Sequence, residues 1–210
     1  MEKATFLEKA SDNVGTGIVA TLIAASGGTY LAPLLPTLFG ALANGRFQKR
    51  VSDALFEIEE RLSKQEESVK NVSDEQFKLI GETVSTILRT TNQEKIQILK
   101  EAVINGVSVT ELEEYEVSII TRVLRDISIS ELRYLLKIQN VEEIYVMSKG
   151  DDEPPKNNKL FVNSSNPNAG LLAGLVNLGL IIPTGSGFGG TINYRVLPIT
   201  KKLIDLIEVK

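Results

Sequence analysis

Between Asp12 and Arg46 the chain carries no charged residue, and the sequence there, NVGTGIVATLIAASGGTYLAPLLPTLFGALANG, is apolar and rich in glycine. Its length exceeds the ~20 residues that a membrane-spanning helix needs. A single rod is nevertheless the wrong expectation, because Gly15, Gly17, the Gly27-Gly28 pair, Pro33 and Pro36 divide the stretch into two short pieces, 14–26 and 31–43. Proline removes a backbone donor and glycine lowers helix propensity. The stretch is therefore read as an apolar helical hairpin over 13–45. Two environments suit such a hairpin, the centre of a helical bundle and a membrane. Gly17, Ala20, Ala24 and Gly28 offer the small-residue spacing that lets helices approach closely in lipid, and Arg46, Lys49 and Arg50 follow as a basic cluster of the kind found at cytoplasmic membrane boundaries. Thr, Ser and Gly dilute the hydropathy, and Tyr30 sits in mid-stretch. Burial and insertion both stay open.

Downstream the pattern changes to charged amphipathic helices. Phe47, Val51, Leu55, Ile58 and Leu62 recur at spacings of four, four, three and four, which predicts one helix over 46–70. Ser73 with Gln76, Thr91 with Glu94, Thr110 with Glu113 and Ser128 with Glu131 each place a hydroxyl three residues before a Glu or Gln. That is the capping-box pattern, and it predicts four further helix starts. Asn105-Gly106 reads as a left-handed stop for the helix through Leu99 and Val103.

The run KGDDEPPKNNKLFVNSSNPN is rich in Asp, Asn, Pro and Ser and predicts a linker or mobile loop over 139–168. Beyond it, NAGLLAGLVNLGLII predicts a helix closed by Gly179 and then a strand; TINYRV alternates as a second strand, and Thr200 is placed as the cap of a last helix. The order helix, strand, loop, strand, helix resembles a winged-helix module. The expected fold is mainly α: a helical bundle over 1–138 with the apolar N-terminal hairpin, the linker, and a small winged-helix-like α+β module over 169–210.

The chain has neither cysteine nor histidine. Thiolate zinc sites, cysteine nucleophiles, disulfide frameworks and Ser-His-Asp triads are thereby excluded. Gly185, Gly187 and Gly190 match G-x-G-x-x-G, but a strand follows rather than a helix, so no helix N-terminus is offered to a pyrophosphate and the glycines read as a hairpin loop. Asp151, Asp152 and Glu153 are adjacent carboxylates without the calcium-loop spacing. No cofactor, metal site or catalytic set is expected, and the chain is read as non-enzymatic. Lys159, Arg195, Lys201, Lys202 and Lys210 against Asp205 and Glu208 leave residues 159–210 at +3 and the remainder at −7. Arg195, Lys201 and Lys202 are accordingly the candidates for contact with phosphate or a partner. The helix AGLLAGLVNLG before the expected wing carries no Arg, Lys or Gln to read base edges, which favours partner docking over DNA. The opening residues MEKATFLEKASDN mix acids and bases unlike a secretory signal, so a cytoplasmic protein is expected, associated with the inner membrane if the hairpin inserts.

Read together, LAPLLPTLFG before RFQKRVSDALFEIEERL, then TTNQEKIQILKEAVINGV, ISISELRYLLKI, LVNLGLI with a Tyr-containing strand, and ITKKLIDLI resemble the bacterial abortive-infection alpha proteins. The most specific of these is Thr91 to Lys95, and the order covers nearly the whole chain; the tail departs from the family's pattern at Thr200-Lys201-Lys202, where a Thr is usually followed closely by Gly. The resemblance implies a role in antiviral defence, as an effector or sensor that stops growth on infection; combined with the uncharged stretch, it leads to the expectation of a protein that self-associates or docks a protein partner and perturbs the inner membrane. It carries no catalytic residues. The alternative is a cytoplasmic helical regulatory module that docks protein or DNA through its C-terminal part.

Overall fold

The computed structural model describes residues 45–109, 112–148, 153–187 and 190–208. The hairpin expected from residue 13, with Gly17, Ala20, Ala24, Gly27, Gly28, Pro33 and Pro36, lies outside the described residues, as do Thr110, Asp151 and Asp152. The chain divides into two compact units: one ends at Val117 and takes in the residues from Leu206 onward, and the other is Ser118–Asp205. The second unit thus begins well before the module boundary expected at 169.

The first unit is helical, with α1 at Gly45–Ser63, α2 at Glu66–Lys70, α3 at Asp74–Arg89 and α4 at Gln93–Gly106. Val51, Leu55, Ile58 and Leu62 are buried as the periodicity requires. The single helix expected over 46–70 is broken at Lys64 and Gln65. The apolar repeat lapses there: after Leu62 the next buried apolar side chain is Val69. α4 packs against both α1 and α3. Ser73 and Gln76 form the expected capping box. At the next helix the cap is Asn92, whose Oδ1 accepts from the Lys95 amide at 3.0 Å, not Thr91 one residue earlier; Asn is the stronger cap of the two.

The end of α4 differs in kind from its sequence reading. Gly106 does not have a left-handed backbone. Its small size serves packing instead, since a Cβ there would meet Ile80 Cγ1 at 3.3 Å. The carbonyls left without helical partners at this end are satisfied by Gln76, whose Nε2 donates to those of Gly106, Val107 and Val109 at 3.3, 3.1 and 2.7 Å. The same side chain accepts the Ser73 amide through Oε1 at 2.7 Å. One buried amide therefore starts α3 and finishes α4.

The second unit contains most of α5 (Glu114–Asp126), then α6 (Ile129–Lys137), β1 (Glu143–Met147), β2 (Glu153–Lys156), β3 (Lys159–Asn163), α7 (Pro167–Asn177), β4 (Ile181–Ser186), β5 (Ile192–Val196) and most of α8 (Pro198–Ile207). α5 starts at Glu114, where Glu116 accepts the Glu113 amide at 3.0 Å, three residues beyond the start expected from Thr110. The strands form one mixed sheet in the order β2-β3-β1-β5-β4, parallel between β1 and β3 and antiparallel elsewhere.

Three of these strands occupy the segment expected to be a linker. Its loop-like composition is hairpin and edge chemistry: Asn157 and Asn158, with φ of 50 and 60°, make the two-residue turn between β2 and β3. Pro154 and Pro155 lie on the edge strand β2, where a missing amide donor is tolerated.

The tail follows the expected order of helix, strand, strand, helix. α7 ends on Gly179 with φ 76°, and the Leu180 amide reaches back to the Leu175 carbonyl, the Schellman pattern. Thr200 is a correction: it lies inside α8, is buried, and donates its hydroxyl to the Leu180 carbonyl at 2.7 Å. Pro198 opens that helix, as its fixed φ allows.

Candidate functional site

Side-chain alternation gives the sheet two unlike faces. Ile144, Leu160 and Val162 are buried on one, and α7 contacts β3 and β4. The other face follows from the strand registers. Glu143 pairs with Lys159 on β3 and with Arg195 on β5; Tyr145 pairs with Phe161 and Asn193. Cross-strand partners project to the same side, so these side chains share the outer face.

They are organised there rather than scattered. The Tyr145 and Phe161 rings stack with centroids 5.0 Å apart and planes 17° from parallel. Lys159 Nζ lies 5.6 Å from the Tyr145 ring centre. Tyr145 donates its hydroxyl to Glu143 at 2.7 Å, and Lys159 pairs with the same carboxylate at 3.1 Å. The carboxyl of Glu143 is held below its ordinary range, first by the Tyr145 hydroxyl and then by Lys159. Lys159 is raised, first through its bond to Glu143. Both groups are ionised at neutral pH and fix the orientation of the phenol ring.

Asn193 adds an unfinished feature. Its side-chain oxygen is shielded from solvent and has no hydrogen-bond partner. Such acceptors are few in folded proteins and call for an explanation. The neighbouring β4–β5 connection holds Gly187, whose amide donates to the Thr191 carbonyl at 2.8 Å, and Gly190 with φ 79°. The glycine motif thus belongs to a hairpin, as its sequence context requires.

The structure separates the three expected cationic contacts. Arg195 is exposed on β5, on the outer face. Lys201 is exposed on α8 and lines a cavity of about 400 Å³ with Glu142 and Asn158, whose side chains hydrogen-bond to each other at 3.1 Å. Lys202 is half-buried on the same helix. Sequence reasoning found Arg195 but missed Tyr145, Phe161 and Asn193. Tyr145 and Phe161 both fell inside the expected linker, and their shared face depends on a parallel pairing with no local signature.

Among the described residues no cluster of acidic side chains could hold a metal ion, and no helix is long and apolar enough to cross a membrane. No protein-family model, characterised protein or solved structure matches the chain.

Proposed function

We propose that the chain is a non-enzymatic effector or sensor of bacterial antiviral defence, of the abortive-infection type, which docks a protein partner or a second copy of itself and perturbs the inner membrane through its uncharged N-terminal stretch. The observation that carries the reading is the arrangement of the second unit. α6 packs on α7, α7 leads into the β4–β5 hairpin, and β1 pairs antiparallel with β5 to give the run β1-β5-β4. That order of elements supports a winged-helix-like reading of the module, with the β2–β3 hairpin inserted.

α7 itself favours a partner of low polarity. Its sequence, PNAGLLAGLVN, has no charged residue, and Gly170 and Ala173 are exposed on it. A surface without Arg or Lys offers nothing to guanine edges or phosphates, and Asn177 is its one exposed base-reading side chain. The surface permits close approach of another chain.

The test is to express the protein in a susceptible bacterium, challenge with a panel of phages, and follow plating efficiency with a membrane-potential dye. Reduced plating with depolarisation on infection is expected. Growth arrest with normal polarisation would remove the membrane step, and unchanged plating for every phage would remove the defence reading. A second reading, a cytoplasmic module that contacts duplex DNA, is favoured by the exposed Arg195 beside the β4–β5 hairpin. A mobility-shift assay across salt concentrations decides it, since phosphate contacts weaken steeply with salt.

A further inference from the structure

We propose that the outer face of the five-stranded sheet binds single-stranded nucleic acid, stacking bases on Tyr145 and Phe161 and meeting phosphates with Lys159 and Arg195. This inference concerns a surface distinct from α7 and does not rest on the defence reading.

Aromatic rings and cations share this solvent-side face. Bases stack on aromatic side chains whatever their sequence, because every base has a π-face, and backbone phosphates are met by Lys and Arg nearby. Tyr145 and Phe161 are only half-buried, although they stack on each other, and Lys159 and Arg195 are exposed. Arg195 and Lys159 stand on opposite sides of β1, each in register with Glu143. The aromatic pair on β1 and β3 therefore has a cation on either flank of the central strand.

The face is also pre-organised. Glu143 accepts from the Tyr145 hydroxyl and from Lys159, so ring and ammonium are already held when a ligand arrives. A carboxylate on such a face opposes phosphate in general. Here it is matched by Lys159, and Arg195 stays available as the second cation.

Charge is unevenly distributed along the chain. Residues 118–205 carry ten basic and eight acidic side chains, a net +2, while the rest of the chain totals −6. The unit bearing the aromatic face repels a polyanion less than the rest of the chain does. The unpartnered oxygen of Asn193, in register with Tyr145, is an acceptor that the folded chain leaves unused.

A single strand fits better than a duplex because base faces are hidden in a double helix and open in an unpaired strand. The full chain is titrated by fluorescence anisotropy with labelled oligo(dT), labelled oligo(U) and a matching duplex, at about 50 and about 200 mM salt. Binding of at least one single strand is expected, weakened by salt, with the duplex about tenfold weaker; the two oligonucleotides distinguish DNA from RNA as the source. Tyr145→Ala and Phe161→Ala are each expected to lose about tenfold, within the range for one stacked base. Tyr145→Phe keeps the ring but loses the hydroxyl that Glu143 holds, so a loss smaller than that of Tyr145→Ala is expected. Arg195→Gln should make the salt slope shallower by about 0.7, as for one phosphate contact on a single strand. If circular dichroism shows that an alanine variant is unfolded, Tyr145→Leu and Phe161→Leu replace it, keeping apolar bulk without a π-face. No binding at low salt, equal affinity for the duplex, or folded ring variants with unchanged affinity would each overturn the proposal. So would binding of a proline-rich peptide to the rings with no oligonucleotide bound.

Discussion

In the helical unit buried polar groups are paired within the core, whereas on the outer face of the sheet exposed and half-buried polar groups order one another at the surface. Gln76, Thr83, Lys100, Glu101 and Asn105 are all buried in the first unit, and each has a partner there. Arg61 donates to both oxygens of Glu101 at 2.8 Å, Lys100 pairs with Glu57, and Asn105 donates to the Leu206 and Glu208 carbonyls at 2.8 and 2.9 Å. In the second unit Glu143, Tyr145 and Lys159 satisfy one another at the surface, and Asn193 keeps an unused acceptor. Polar groups that saturate each other in a core specify structure. Groups ordered at a surface with capacity to spare can specify a ligand. The contrast predicts that polar substitutions in the first unit act on stability, and that those on the sheet's outer face act on binding.

The largest effect should come from Glu101→Ala. Its carboxylate is 6% exposed, lies 3.6 Å from Lys100, which is 7% exposed, and also holds Arg61. Removing one partner of a buried ion pair strands the other charges, at about 3 kcal/mol. Urea unfolding reads this as a lower midpoint. A loss below about 1 kcal/mol, the value of an exposed pair, would break the contrast between the units.

Gln76→Ala should follow, at about 2 kcal/mol, because the carbonyls at the end of α4 and the Ser73 amide lose their shared partner. Gln76→Glu should be at least as damaging. It preserves the bond to Ser73 but turns an acceptor toward three carbonyls, so the pair of variants separates loss of the cap at α3 from loss of the cap at α4.

These two residues also show how much was legible. The capping boxes at Ser73 and Ser128 and the stop at Gly179 could be read from sequence because each depends on neighbours within a few residues. The second role of Gln76 joins residues about thirty apart, and nothing local marks it. Likewise Thr200 reads as a cap until its hydroxyl is seen bonded to Leu180. The strands between 143 and 163 were hidden for a related reason. Prolines on an edge and asparagines in a tight turn share their composition with a true linker, and only the pairing of β3 with β1 tells the two apart. The candidate face inherits that blindness: Arg195 was legible as a charge on a strand, but its aromatic neighbours became a site only through sheet register.

A smaller effect tests whether the second unit also has tight internal coupling. A Cβ at Gly174 on α7 would overlap the Glu131 carboxylate, and Glu131 accepts the Ser128 amide at 2.7 Å to complete the cap of α6. Gly174→Ala is expected to displace Glu131 and cost about 1 kcal/mol, the scale of a lost helix cap. In the Glu131→Ala background the same change should be near neutral or stabilising, since the overlap is gone and alanine favours the helix. Additive losses in thermal unfolding of the double variant would show that the helices adjust without the carboxylate moving.

The smallest effect is the pH dependence of the outer face, and its sign is fixed by the direction of the shift. The pKa of Glu143 is lowered in the folded chain, by the Tyr145 hydroxyl first and Lys159 next. A carboxyl lowered by folding adds stability that is fully present above its unfolded pKa and is lost as pH falls through the lowered folded value. Lys159 is raised, so its contribution is present below the unfolded lysine pKa and is lost only as pH rises through the higher folded one. Between these two alkaline and acidic windows the arrangement of Glu143, Tyr145 and Lys159 does not change. Both groups are solvent-exposed, so global unfolding will barely register either step. The measurement that can is an NMR titration of the Glu143 carboxyl carbon. It should titrate below an ordinary glutamate, and its midpoint should move upward both in Tyr145→Phe and in Lys159→Gln. A midpoint indifferent to both changes would mean that the carboxylate does not hold the ring, and the outer face would then lose the ordering that distinguishes it from an ordinary wet sheet surface.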